Sequence, residues 1–519
     1  MVQPEIEKSW GSACKIILGE ELGPILEYED YLKKYINLDM KIEKSELSGK
    51  QVSISHGKLF DKKRIISNDE IEEYSKKTAG IKLSINEIKD IDSILQAVSE
   101  KAYYAGNVVL GNSKIVQNSD RCINGTIIYE VQSIHEGCKQ VAFARYIRNS
   151  EYCYGVTLSG ENKFVIHGYE VWRLNRGFEA LRTYTSSDCY YTGNLEGCQN
   201  CMFSFNQRNK NYLIGNIPLS RGEYDKIKGK LIEDIRNELK SKKLPTIIDL
   251  IMKNEETEEL ENETDETEIS DIELAFSQTT DVIFGKKLKN VREYENWLME
   301  NIGKVKKVKS ALSKEPVYIS PLECLDLIKN NTANMDEALK FGENKLTREE
   351  LEGLNIENAK EIVSKINTVS TEIAVGENIN VKECSAYAFA VDIYRSAFAY
   401  WLKHSAYSFY PKESEYCFGV SSCFFSKFSI RCNDSDNVTR CFELDGCSNC
   451  SDSYFCHNCE GLSNCMFCFN VKSLRYAIGN VEVGREEFMR IKKLVLDEVV
   501  KKLEKNKKLD LNIYNLRCK

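Results

Sequence analysis

The chain contains no uninterrupted apolar run of about eighteen residues, which excludes a membrane-spanning helix. Met1 to Lys15 carries Glu5 and Glu7 and lacks an apolar stretch, so it does not read as a secretory leader. Histidine is scarce, at five residues: His56, His135, His167, His404 and His457. That leaves few bases to activate a cysteine nucleophile, and surface or capping roles are expected for them. No phosphate-cradling glycine loop, nucleophile elbow or paired-histidine zinc motif occurs. Excess positive charge is missing too. The formal charge is −8, and eleven acids with no lysine or arginine fall between Asn254 and Glu273. The rest of the chain is near neutral, with no electrostatic footprint for nucleic acid.

Cysteine is abundant, at 20 in 519 residues. Without an export signal, the expectation is a cytoplasmic protein with free thiols. Six of these cysteines fall on a nine-residue beat: Cys423, Cys432, Cys441, Cys450, Cys459 and Cys468. At every third position from Val381 to Cys468 there is no charged residue and no amide. From Cys138 to Ser204 only Asn162 breaks the same rule. A strict period of three winds around a helix and does not match the two-residue period of a plain strand. Sustained over so many residues, it points to a parallel β-solenoid that buries small side chains. A turn of roughly eighteen residues is expected, because nine are too few to close a coil.

The chain also reads as one unit written twice. Ser150-Glu151-Tyr152-Cys153 recurs as Ser414-Glu415-Tyr416-Cys417, and Asn200-Cys201-Met202-Phe203 as Asn464-Cys465-Met466-Phe467, at a constant offset of 264. Upstream, Ile17-Leu18-Gly19 through Leu32 recurs as Ile283-Phe284-Gly285 through Leu298, each read as a short amphipathic helix. The fold class is α+β with tandem duplication. A helix-and-strand head (1–110), a solenoid (111–219) and a closing helix (220–253) lead to an acidic linker (254–273). A second head (274–375), solenoid (376–483) and closing helix (484–519) follow. Ser220 with Glu223 marks the first closing helix. Such a duplication suggests a pseudo-twofold pair within one chain.

Three Cys-x-x-Cys pairs, Cys447/Cys450, Cys456/Cys459 and Cys465/Cys468, have the spacing that grips zinc or part of an iron–sulfur cluster. Their positions in the first half hold Thr183, Ser186, Thr192, Leu195, Cys201 and Ser204. A metal site needs all its ligands, whereas a packed ladder tolerates such exchanges, so the ladder with no cofactor is the first reading. The matched asparagines Asn194/Asn458, Asn200/Asn464, Asn206/Asn470 and Asn216/Asn480 suit left-handed positions and stacked hydrogen bonds. Asn206, Asn216, Asn470 and Asn480 are read as caps. Lys163/Lys427 and Glu179/Glu443 are shared charges expected in solvent.

The ending Asn464-Cys465-Met466-Phe467-Cys468-Phe469-Asn470, with Tyr476, Ile478-Gly479-Asn480 and a charged helix, resembles a loose group of uncharacterised microbial proteins. These carry Ser/Asn/Cys-rich repeats closed by an aromatic and asparagine-rich block. The resemblance implies architecture and no activity. The expected function is a non-enzymatic scaffold that binds a protein partner or itself, with no catalytic residues. The alternatives are a metal-binding protein using Cys447 to Cys468, and a protein acting on a polymer such as polysaccharide. The lone matched acids Asp188/Asp452 and Glu196/Glu460 offer the latter no carboxylate pair.

Overall fold

The computed structural model describes residues 2–36, 39–60, 63–81, 87–135, 139–142, 150–254, 259–260 and 268–516. Most of the expected acidic linker, 255–258 and 261–267, lies outside the described residues. The chain is mixed, at 31 % helix and 30 % strand spread over several sheets, which fits an α+β class. Among the described residues no helix is long and apolar enough to cross a membrane.

Helix α1 (Pro4–Leu18) starts with proline in its first turn, carries Glu5 and Glu7 there, and stops at Gly19, whose φ is 81°. The single amphipathic helix expected from Ile17 to Leu32 does not form. Left-handed Gly19 ends α1, and a separate short helical turn runs over Ile25–Tyr28 and Glu29–Lys33. Strands β1 (Met40–Lys44) and β2 (Gln51–Ser55) form an antiparallel hairpin. Helix α2 (Arg221–Lys240) opens on Ser220, which accepts from the Glu223 amide. Helix α3 (Ser270–Phe284) ends at Gly285, φ 71°. Strands β3 (Lys306–Lys309) and β4 (Pro316–Ile319) make a second hairpin. In each hairpin turn one serine hydroxyl holds a buried-side carboxylate at 2.6 Å: Ser45 to Glu70 and Ser310 to Glu337. The helix expected near Glu349 to Lys365 is two short ones, Arg348–Gly353 and Ala359–Val363. Helix α4 (Arg485–Asn506) closes the chain.

Between these elements lie two stacks of short parallel strands. In the second, Glu415 pairs with Lys427, Lys427 with Thr439, Thr439 with Ser451, and Ser451 with Ser463. In the first, Ser187 pairs with Gln199 and Gln199 with Asn211. The offset is twelve residues, and it corrects the expected eighteen. The reason is local. Every third residue has a positive φ, so Phe425, Phe428, Arg431 and Asp434 place four left-handed bends in one twelve-residue offset. Left-handed backbone is unfavourable for most residues and least so for Asn, Asp and Gly. That is why Asn437, Asn449, Asn458, Asp452, Gly446 and Gly461 collect at these positions.

The residue after each bend faces the interior. Cysteine thiols there donate to the carbonyl nine residues on: Cys423 to Cys432, Cys447 to Cys456 and Cys459 to Cys468, at 3.0, 3.4 and 3.4 Å. Nine is therefore one three-residue side short of a full offset. Interior serines instead accept the amide twelve residues on, as Ser405 does from Cys417 and Ser435 from Cys447. The interior selects small side chains that also hydrogen-bond, not merely compact apolar ones.

Outward residues one offset apart form rows. Phe418, Ile430, Phe442, Tyr454, Met466 and Ile478 are fully buried beneath α3 and α4. Phe276 and Phe284 of α3 meet Phe418 and Phe442 edge-on at 5.2 and 5.0 Å. Tyr154, Ile166, Phe178, Tyr190, Met202 and Ile214 make the matching row of the first stack. Trp10 of α1 packs there against Tyr154 at 5.1 Å.

Candidate functional site: a reciprocal clasp and its buried charges

Each head binds the far end of the other half's stack. From the second stack, the Asn470 amide donates to Tyr103 O at 2.8 Å and Asn480 to the Tyr74 hydroxyl at 3.0 Å. From the first, Asn206 donates to Thr368 O at 2.7 Å and Asn216 to Asn344 O at 2.9 Å. The same asparagines also close their own stacks. Asn216 Oδ1 accepts from Phe205 N and Asn480 Oδ1 from Phe469 N, at 2.9 and 2.8 Å. Asn194 donates to Asn206, and Asn458 to Asn470, both at 2.9 Å. All are left-handed, φ 50–65°. Gly342 of the second head lies against Asn206, where an added Cβ would meet the Asn206 carbonyl at 2.5 Å.

Charges are buried along the same contacts. Arg121, from the first stack, reaches Asp434 at 2.5 Å and Asp445 at 2.9 Å in the second. His56 bonds Asp434 at 2.9 Å; His457 and Tyr514 bond Asp445 at 2.7 and 2.8 Å. His457 Nε2 accepts the Ala105 amide of the first head at 2.9 Å. Burial alone would raise both carboxyls, but the Arg121 guanidinium outweighs it and holds them below the usual range. In the first stack Glu170 faces Arg182 at 2.9 Å, and burial leaves that carboxyl raised. Arg182 also donates to Ser370 O of the second head. The position 264 residues after Arg182 is Gly446, and the Arg121 guanidinium lies over it.

No known protein family, curated protein or solved structure matches this chain. Its chemistry is therefore read from its own residues.

The 18 described cysteines are all buried and none is in a disulfide. Cys138 and Cys518 lie outside the described residues. Burial pushes the thiols of Cys153, Cys384, Cys417 and Cys456 up to about 12. Adjacent thiols, then burial, raise Cys450 and Cys465. These conditions oppose the thiolate that nucleophiles and metal ligands require. Cys447, Cys450, Cys456, Cys459, Cys465 and Cys468 share one interior cluster with Cys423, Cys432 and Cys441. Among the described residues no group of three His, Cys, Asp or Glu side chains is placed to hold a metal ion.

Two expectations fail. His167 and His457 are fully buried ring partners of acids, not surface histidines. Glu179 and Glu443 are also buried rather than solvated. Each anchors a closing segment, accepting from Ile247 N at 2.6 Å and from Ile513 N at 2.9 Å. Lys163 and Lys427 are exposed, and Lys427 pairs with Glu415 at 2.6 Å. Asp188, Asp452, Glu196 and Glu460 are each tied to a base one offset away: Arg176, Arg440, Arg208 and Lys472. The cluster around Arg121 has no counterpart in the repeat and left no trace there. The axial ion pairs did leave one, in opposite charges spaced twelve apart.

Proposed function

We propose that this protein is a non-enzymatic interaction scaffold of the cytoplasm: two duplicated β-solenoids of twelve residues per turn, held in fixed relation by heads that clasp each other's coil. The observation that carries the reading is the division of labour between inside and outside. Reactive side chains are spent inward, on carbonyls and on buried ion pairs between the halves. The outer rows repeat every twelve residues, about 4.8 Å apart, and offer a partner regular lines of charge, amide and aromatic groups. Reciprocal bonds through Asn206 and Asn470, 264 residues apart, support a pseudo-twofold arrangement. Large buried contacts on both sides argue for a rigid body rather than two hinged domains.

The test is cross-linking capture of the full chain from its own cells, read by the lysines joined to a partner. Links concentrated on outer-row lysines such as Lys403, Lys427 and Lys472 support the scaffold. Catalytic turnover by the purified protein that disappears on changing a single cysteine overturns it.

A further inference from the structure

Acids on the outer rows of the second stack follow a rule. Glu383, Asp392, Glu415, Glu443, Asp452 and Glu460 each face a base one offset away: Arg395, His404, Lys427, Arg431, Arg440 and Lys472. Asp434 has Ser422 and Gly446 in those places and takes Arg121 from the other stack instead. Glu413 is in the same situation at the surface. Its neighbours one offset away are Trp401 and Phe425, both left-handed residues like itself. The intervening backbone is in register, since Tyr400 pairs with Lys412 and Lys412 with Phe424. Trp401 is 43 % exposed, Phe425 48 %, and the Glu413 side chain 44 %. Phe389 stacks on the far face of Trp401 at 5.2 Å and 10°, which fixes the indole plane.

We propose that Trp401, Glu413 and Phe425 form a receptor slot for an arginine side chain of a protein partner. Rungs about 4.8 Å apart put each ring roughly 5 Å from a cation seated on Glu413, inside the ~6 Å reach of a cation–π contact. A planar guanidinium fits between two rings and bonds a carboxylate edge-on, which a compact ammonium cannot do as well. The chain builds the same trio internally, with its cation supplied: Arg431 lies 5.3 Å from the Trp297 ring centre and bonds Glu443. At the surface slot, Lys412 stands at the margin, 3.4 Å from Glu413 and 5.9 Å from the Phe425 centre. It is a weak occupant for an incoming guanidinium to displace.

The slot rests on the interaction reading above, and its test is separate. The full chain is titrated with hexa-arginine and hexa-lysine peptides, by calorimetry and by indole fluorescence. Hexa-arginine binds more tightly than hexa-lysine. Glu413→Gln and Trp401→Ala each weaken hexa-arginine by about tenfold, while Lys412→Ala tightens it. Far-UV dichroism and melting temperature establish that each variant is folded; Glu413→Gln, being exposed, decides if Trp401→Ala is not. No binding by the native chain, or equal binding by native and Glu413→Gln protein, overturns the slot. Either result leaves the scaffold standing, because that reading falls on turnover and not on this site.

Discussion

His167 bonds Glu179 in the first stack as Arg431 bonds Glu443 in the second, 264 residues later. The other contacts of the two bases correspond as well: His167 reaches Lys34 O and Arg431 reaches Trp297 O, each in its own head's short helical turn. The two carboxylates then hold matching closing segments through Ile247 N and Ile513 N. One architectural joint is thus built with two different bases.

Removing the acid from that joint leaves several buried partners without one. Glu179 accepts from the Tyr31 hydroxyl at 2.6 Å and from Ile247 N at 2.6 Å, besides His167. Glu179→Ala therefore destabilises the chain by about 3–5 kcal/mol, measured by urea unfolding. A loss below about 1 kcal/mol contradicts the buried joint.

Arg121→Met leaves Asp434 and Asp445 buried without their guanidinium. Their carboxyls sit below the usual range in the native chain, so the stability they give is complete above about pH 4. It is lost as pH falls through their lowered values. In the variant both carboxyls titrate higher, and the midpoint of acid unfolding, followed by dichroism, moves to higher pH. An unchanged midpoint counts against the network.

Glu372 gives the opposite sign. Burial raises its carboxyl from 4.5 to about 7, while its Oε1 accepts from Tyr318 N at 3.0 Å. The folded chain then binds this proton more tightly than the unfolded chain. Stability falls as pH rises from about 4.5 to 7. Glu372→Gln flattens that part of the curve of melting temperature against pH.

Gly342→Ala tests the clasp. The new methyl would meet Asn206 O at 2.5 Å and Asn206 Cβ at 2.9 Å, both in the first stack. The head must shift, with a loss of about 1–3 kcal/mol in urea unfolding. The contacts of the first head with the second stack stay intact in that variant, so hydrogen exchange rises at Thr368 and Leu346 and not at Tyr103.

Much of this fold is legible in the sequence because the interior rule is simple. Every third residue faces inward whichever side it lies on, so the period of three is plain. The same degeneracy hides the turn length, since any multiple of three fits the interior, and a nine-residue beat of cysteines stands out from mere composition. The row Phe418, Ile430, Phe442, Tyr454, Met466 and Ile478 carries the twelve directly, because only one side is covered by helices. Buried His167 and Glu179 were misplaced because their polarity suggests solvent, while their mutual bond and the closing segment supply the compensation. The exchange of heads depends on chain path, and no local pattern at Asn206 or Asn470 announces whose head they hold. Glu413 stands out once the twelve-residue offset is known, as an acid whose axial neighbours are rings.

The most direct measurement of the inward-facing thiols is alkylation of the native chain by iodoacetamide at pH 8, read peptide by peptide by mass spectrometry. The stacked interior predicts that Cys423 through Cys468 stay unmodified until urea unfolds the chain, with rates then rising by at least about a hundredfold. Rapid native modification at Cys447, Cys450, Cys456, Cys459, Cys465 or Cys468, or near-stoichiometric zinc or iron that shields them and leaves with Cys456→Ala/Cys459→Ala, would contradict it.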